Sequence, residues 1–344
     1  MKYFKQLSFL LTFQLPLQTL IGYVIGFNYF SPLICFLLVP LLDLMLGKDQ
    51  NNSTMAEQAL FFKALTLLWV PLQLAILIFG GYVVSHESLS PGQLIAFVFS
   101  IALLTGAGVT IAHELGHRRG WLEPLLAKLL LSSVCYTHFL IEHNQGHHQH
   151  VGTPQDAASA RFQESFYAFY LRSVTGTYRN AWRIEQSRLI RRGFPFWSFH
   201  NQMLNFHCFS LLWMLSFQVS FGWTGLLYFC IQSFIAFSFL EATNYVEHYG
   251  LQRKEITPGK YEKVSIQHSW NANHFLTNRY LLHLERHSDH HLHPNRRYQA
   301  LQHHEDSPQL PNGYAGMVPL ALIPPLWFKV MNPRVLKWQQ RGDL

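Results

Sequence analysis

The sequence predicts an all-α integral membrane protein in which six transmembrane helices carry a histidine-rich helical cap on the cytoplasmic side. Three observations predict it. Apolar residues arrive in long blocks; charged residues make up only 13% of the 344-residue chain, against roughly 25% in soluble proteins; and many of the 20 histidines cluster where apolar blocks end. A mean hydropathy of +0.07 is too low for a chain wholly in the bilayer, so a hydrophilic body accompanies the spans. The same composition argues against disorder, a coiled coil or a nucleic-acid-binding arm.

A span needs about 20 mostly apolar residues. The blocks that qualify are Leu7 to Phe27, Tyr29 to Leu46, Leu60 to Val84, Leu94 to Ala112, Met203 to Val219 and Trp223 to Ala242. The second is short and contains Asp43, and Gln14, Pro16 and Gln18 in the first need neighbouring helices to satisfy them. Met1 to Lys5 and the apolar run behind it have the form of a signal anchor; no small-residue cleavage site follows, so the segment is read as retained. Six spans put both termini on one side. The loops Asn28 to Pro32, Ser85 to Gly92 and Ser220 to Gly222 contain neither Lys nor Arg. Lys2, Lys5, Lys48, Arg118, Arg119 and the later arginines then face the cytoplasm, as the positive-inside rule requires. The net charge of +7 is read mainly as this bias toward an anionic leaflet.

Between the spans, Leu122 to Leu140 is apolar enough to cross, but a crossing there would put His113 and His143 on opposite sides of the membrane. The histidines on either side make sense only together, so the block is read as re-entrant or interfacial. From Arg161 to Arg192, arginines alternate with aromatic residues, a pattern suited to a helix at headgroup level. The chain thus divides into helices one to four (1–112), a first cytoplasmic region (113–202), helices five and six (203–242) and a second cytoplasmic region (243–344). Cys35, Cys135, Cys208 and Cys230 sit singly in apolar runs, with no C-x-x-C pair. They are read as packing residues in a reducing compartment.

Four polar islands carry the chemistry. His113-Glu114-Leu115-Gly116-His117 ends the fourth span, and histidines at i and i+4 share a helical face about 5–6 Å apart, close enough for one ion. The same five residues are the H-E-x-x-H of zinc proteases, with Glu114 as base; the motif alone leaves both readings open. Glu142-His143-Asn144-Gln145-Gly146-His147-His148 repeats the spacing and adds an adjacent ring. His287-Ser288-Asp289-His290-His291 offers i, i+3 and i+4, and His248 follows the sixth span. One zinc needs only three or four ligands, so these imidazoles point to two metals, without naming the element. Glu114, Glu142, Glu247 and Asp289 adjoin these histidines, where carboxylates commonly accept a hydrogen bond from the far nitrogen of a ligating ring. His86, His200, His207, His303 and His304 lack ligand spacing and are read as surface or interfacial residues. His138, His150, His268, His274, His283 and His293 are read as supporting or surface residues, with His283 the nearest contender because it lies four residues before His287.

These islands, with Asn244 to Leu251 and Pro294 to Tyr298, resemble the integral-membrane alkane 1-monooxygenases of the membrane fatty acid desaturase and hydroxylase superfamily. The resemblance spans about residues 90 to 302, and xylene monooxygenase hydroxylase components share much of it. It implies a six-helix bundle in the bacterial inner membrane with a cytoplasmic non-haem diiron site. Its ligands would be His113, His117, His143, His147, His148, His248, His287, His290 and His291. It implies O2 as co-substrate and a terminal alkane C–H bond as target, with electrons from rubredoxin and its NADH-dependent reductase. No rubredoxin-type cysteine pair occurs in the chain, so the donor is expected to be a separate acidic protein, docked by Arg118, Arg119, Arg172, Arg179 and Arg183. Arg118-Arg119 stands where the family often has a lysine. A xylene-type or fatty-acyl substrate is the nearest rival. An intramembrane zinc protease and a metal transporter are the rivals from other classes; the transporter wants polar ligands at mid-membrane, where the sequence offers only Asp43, near a span end.

Overall fold

The computed structural model describes residues 2–52 and 59–341. Met1, residues 53–58 and 342–344, and the side chain of Lys2 counted above among the inward cations, lie outside the described residues. Among the described residues, four helices are long and apolar enough to cross a bilayer: α1 (Lys5–Val24), α3 (Leu60–His86, within Ala59–His86), α4 (Pro91–Gly116) and α8 (Gln202–His248). The apolar α2 (Phe30–Leu46) is shorter, and its middle turn, Ile34–Leu38, is wound as a π-helix.

The predicted fifth and sixth spans form one element of 47 residues broken at Gly222, whose φ of 67° and ψ of −164° no helix contains. Trp213 and Phe229 stack with ring centroids 6.3 Å apart. Sixteen residues of straight helix would separate them by about 24 Å, so the chain doubles back at Gly222 into two packed arms. Glycine is suited to this corner because positive φ strains other residues.

Local chemistry explains the other boundaries. Ser90 caps α4 by accepting from the Gln93 amide, and Pro91 occupies the first turn, where its missing N–H costs nothing. This helix is the hub of the bundle, with 61% of its apolar window buried. Its Gly108 lets Gln73 of α3 approach so closely that a Cβ would collide with the amide. Gln73 in turn accepts from Trp69 Nε1 at 2.8 Å, which satisfies a polar group inside the apolar bundle. Outward-facing Leu17, Leu44, Ile95 and Val219 are exposed, as a lipid-contacting surface requires.

The doubtful block is α5 (Leu122–Ser132), whose 11 residues reach only about 16 Å. The chain reverses just beyond it, where Cys135 adopts a φ of 55°, and enters α6 (139–150). Next, α7 (Phe166–Arg192) is capped by Ser165 and stopped by left-handed Gly193. Its buried residues Phe166, Phe169, Ser173, Thr177, Ala181, Glu185 and Leu189 form one stripe. Beside that stripe α7 meets both arms of α8: Tyr170 bonds Ser238 at 2.8 Å and Tyr178 bonds His207 at 2.7 Å.

Residues 243–341 depart from the all-α expectation. Thr257-Pro258-Gly259 turns a small antiparallel hairpin of β1 (Glu255–Thr257) and β2 (Lys260–Tyr261), with Gly259 at a φ of 75°. The short helices α9 (Phe275–Tyr280), α10 (His287–Leu292) and α11 (Tyr314–Ala321) follow, and α12 (Pro324–Arg341) packs Trp327 and Met331 against Tyr245 and Tyr249. Asp43, out of place in a span by sequence, is fully buried and caps α9, accepting from the Leu276 amide at 2.7 Å and from the Thr277 hydroxyl. It pins the second helix to the cap. Cys208 is exposed rather than packed, whereas Cys35, Cys135 and Cys230 are partly buried.

Candidate metal centre

The nine predicted histidines converge as two adjoining clusters. His113, His117, His143, His148 and His290 form the first; His147, His248, His287 and His291 form the second. Within each, the ligand nitrogens lie within 4.8 Å of one another. In the first cluster His113 Nε2 stands 2.8 Å from His143 Nε2, and His148 Nε2 stands 3.0 Å from His143 Nε2 and 3.1 Å from His290 Nε2. In the second, His287 Nε2 lies 3.2 Å from His248 Nε2 and 3.0 Å from His291 Nε2. Two imidazole nitrogens each about 2.1 Å from one ion, at right angles, stand about 3 Å apart. The clusters touch each other: the His148 and His291 rings are 4.6 Å apart and those of His143 and His147 are 5.2 Å apart.

No histidine box serves a single cluster except the first. Residues 143–147 are wound as a π-helix, which widens the turn so that His143 and His148, five residues apart, face one cluster while His147 faces the other. In α10, His287 and His291 keep their i, i+4 partnership in the second cluster, and His290 turns to the first. The i, i+4 pairing read from the second box is therefore corrected by the local helix type.

Electrostatics favour metal binding. Burial pushes His143, His148, His287, His290 and His291 well below the usual imidazole range, and the crowd of neighbouring rings adds to it. They are neutral, the form that binds a cation. Burial also acts against a charged His147, but the Asp156 carboxylate 2.9 Å from its Nδ1 outweighs this and holds the ring above the usual range. Burial opposes Asp156 too, and His147 overrides it, holding the acid to about 2. With Nδ1 engaged by Asp156, His147 Nε2 is buried without a partner. An orphaned nitrogen aimed at three others is a donor set awaiting an ion.

The four sequence-predicted carboxylates fare differently. Glu247 Oε1 lies 3.2 Å from His287 Nδ1, near enough for a charge contact but without hydrogen-bond alignment. Glu114 binds Arg118 at 2.9 Å; Glu142 accepts from Asn180 at 3.1 Å; Asp289 holds Arg296, His304 and the Gln302 amide, tying the following loop to α10. None of these three reaches a ligand ring. Asp156, which does, was missed. It lies nine residues beyond His147 with no helical relation to it, in a turn where it also binds Ser159 and the Ala158 amide.

Two docking arginines are also corrected. Arg118 is buried against Glu114 and the carbonyls of Asn295 and Arg296, and Arg172 staples Glu164 and the carbonyls of Ala157 and Ser159. Arg119, Arg179 and Arg183 are exposed. Two supposed surface histidines are structural: His303 is buried beside Asn273, and His304 binds Asp289 at 2.9 Å. His283 binds Arg279 and meets Phe9 edge-on, and belongs to neither cluster.

An apolar cavity of about 140 Å³ ends on the metal centre. Its walls include Phe36 and Val39 of α2, Leu103 and Gly106 of α4, and Phe239 and Leu240 of α8; its inner end is made by His113, His143 and His287. Among the described residues α3 contributes no wall residue, whereas the second arm of α8 does.

The fatty acid desaturase family model matches residues 90–321. Alkane 1-monooxygenase 2 of Pseudomonas aeruginosa is 45% identical over 88% of this chain and 82% of its own length, and alkane 1-monooxygenase 2 of Alcanivorax borkumensis is 41% identical over 92% and 84%. The xylene/toluene monooxygenase hydroxylase component of Pseudomonas putida is 30% identical over 95% and 89%. With two histidine clusters at the end of an apolar cavity and relatives of this similarity along most of its length, the chain belongs to the fatty acid desaturase family, among the alkane 1-monooxygenases.

Proposed function

We propose that this protein is a membrane-bound non-haem diiron monooxygenase that hydroxylates the terminal carbon of medium- to long-chain alkanes to primary alcohols. The observation that carries the reading is the apolar cavity whose inner end is made by rings from both histidine clusters. Two irons held by those rings would supply O2 activation, one oxygen atom entering the C–H bond and the other leaving as water. The chain supplies the rest. An alkane has no polar handle, so the cavity holds it by burial worth about 0.8 kcal/mol per CH2. Terminal selectivity comes from positioning, because the apolar walls hold the chain with its tip beside His113, His143 and His287. No side chain is needed as acid, base or nucleophile toward the carbon.

The protease alternative is not favoured. Its base, Glu114, is engaged by Arg118, and His113 and His117 share their cluster with three further rings. The greater identity to alkane than to xylene enzymes favours an aliphatic substrate. Electrons would come from rubredoxin and its NADH-dependent reductase. A polar groove behind the second box, lined by Asn144, Gln149, His150, Asn180, Arg183 and Arg191, offers an acidic donor a short approach to the clusters, with exposed Arg119 and Arg179 as further docking charges. The six-span topology, with the second helix and both arms of α8 counted as crossings, faces this groove to the cytoplasm of the bacterial inner membrane.

The test is iron-loaded protein in lipid with rubredoxin, reductase, NADH and an octane-to-hexadecane series. Primary alcohol with about two irons per chain supports the reading; one zinc, or peptide cleavage without O2 uptake, overturns it. Arg183→Glu should slow reduction and flatten its salt dependence; an unchanged salt dependence would falsify the docking role.

A further inference from the structure

We propose that Glu241, held by Tyr136, is the inner relay of a proton-entry path that runs from a lateral pocket past His138 to a slot beside His143 and His147. The inference rests on the monooxygenase reading, whose balance is R–H + O2 + 2 e⁻ + 2 H⁺ → R–OH + H2O, with electrons from a one-electron protein donor. The protons need a way to the substrate side of the clusters, and the substrate cavity there is walled mainly by hydrocarbon.

Glu241 sits inside the apolar second arm of α8 and is 1% exposed. An ionisable side chain at such a place is costly to keep. One oxygen is accounted for, since the Tyr136 hydroxyl donates to Oε1 at 2.7 Å. The other is not. Oε2 is buried without a well-aligned partner, although Ser173 and Asn244 lie near the carboxylate. Tyr136 thus fixes the group and leaves one oxygen to accept and release a proton.

Two spaces flank this pair. The inner slot, lined by Tyr136, His138, Glu142, His147, Thr177 and Glu241 among others, holds about 10 Å³, room for roughly one water. It adjoins the substrate cavity, with which it shares Phe139, His143 and Asn244. The outer pocket holds about 440 Å³ between the re-entrant turn, α7 and the first arm of α8, and reaches the exposed Tyr178 and Arg179. Tyr136 and His138 line both spaces. His138 is buried, its ring centroid is 4.3 Å from that of Tyr136, and its Nε2 has no partner.

Size decides what this route can carry. An alkyl chain or its alcohol cannot pass a space for one water, whereas a proton can. A proton entering past His138 protonates Glu241 Oε2; Glu241 then gives it to water in the slot and returns to carboxylate, and the proton ends on the oxygen being reduced. Glu241 touches neither substrate nor ligand ring and acts as a relay.

Glu241→Gln preserves the acceptor for Tyr136 and removes the transferable proton. It should keep its metal and melting temperature while hydroxylation falls roughly a hundredfold, the low end of what proton transfer contributes, with an enlarged solvent deuterium isotope effect. A wild-type rate and isotope effect would overturn the proposal. A second readout needs no metal. In the metal-free protein, deuterium exchange at the Glu241 carboxyl, followed by infrared spectroscopy, should slow at least tenfold in His138→Phe, which fills the outer end of the slot. Unchanged exchange overturns the path even if the Gln variant fails to fold. Should the wild type hydroxylate no alkane with a competent donor, the functional reading falls, and exchange in the metal-free protein still decides the path.

Discussion

The two histidine clusters share the second and third boxes, yet they differ in what stands behind the rings. The four-histidine cluster is wholly buried, and two carboxylates reach its outer nitrogens, Asp156 at His147 and Glu247 at His287. A backbone carbonyl, that of His268, faces His248 Nδ1 at 3.3 Å. The five-histidine cluster has more rings, but His117 and His148 are part-exposed, and the carboxylates that adjoin it in sequence are engaged elsewhere, Glu114 by Arg118, Glu142 by Asn180 and Asp289 by Arg296. One cluster is anchored by charge and burial, the other by ligand number, with an edge toward the water where an electron donor would approach.

The largest expected effect tests the partition itself. His290→Ala should cost the five-ring cluster its ion and His291→Ala the four-ring cluster its ion, each leaving about one iron per chain and no measurable hydroxylation. Iron analysis with Mössbauer spectroscopy checks it: two different residual spectra are expected, and identical ones would merge the clusters into one. Next, Asp156→Asn should weaken metal binding at the four-ring cluster by roughly 10–100-fold, the usual cost of losing a partner behind a ligand ring. Glu247→Gln should cost less, because its 3.2 Å contact is the looser one. Chelator titrations in the His290→Ala background read that cluster alone. A smaller difference follows from exposure, since a chelator should strip His291→Ala several times faster than His290→Ala at neutral pH. Equal rates would show that the exposed edge does not govern access. Last, Arg118→Ala should leave iron content and the salt dependence of reduction unchanged while lowering stability by about 3 kcal/mol, because it strands Glu114 in a buried site. Chemical denaturation measures the loss.

Some of this architecture was legible in the chain because it is local. Long apolar runs and histidines at i, i+3 and i+4 are properties of consecutive residues, and they singled out the nine rings that the fold brings together. The corrections are all non-local or depend on helix type. His143 and His147 share α-helical spacing, but a π-helical turn parts them. Arg118 resembles a surface cation until the Asn295–Arg296 backbone closes over it. Asp289 adjoins a ligand yet points to the loop beyond, whereas Asp156, with no periodic relation to any histidine, reaches one.

What the sequence by itself determined was a membrane chain with nine metal-seeking imidazoles at the ends of its apolar blocks, since hydrophobicity and ligand type belong to residues one at a time. Which ring joins which cluster, which carboxylate stands behind it, and which helices wall the cavity were decided only in three dimensions. Those assignments depend on segments far apart in the chain packing to within about 3 Å, a condition that neighbours in sequence do not set.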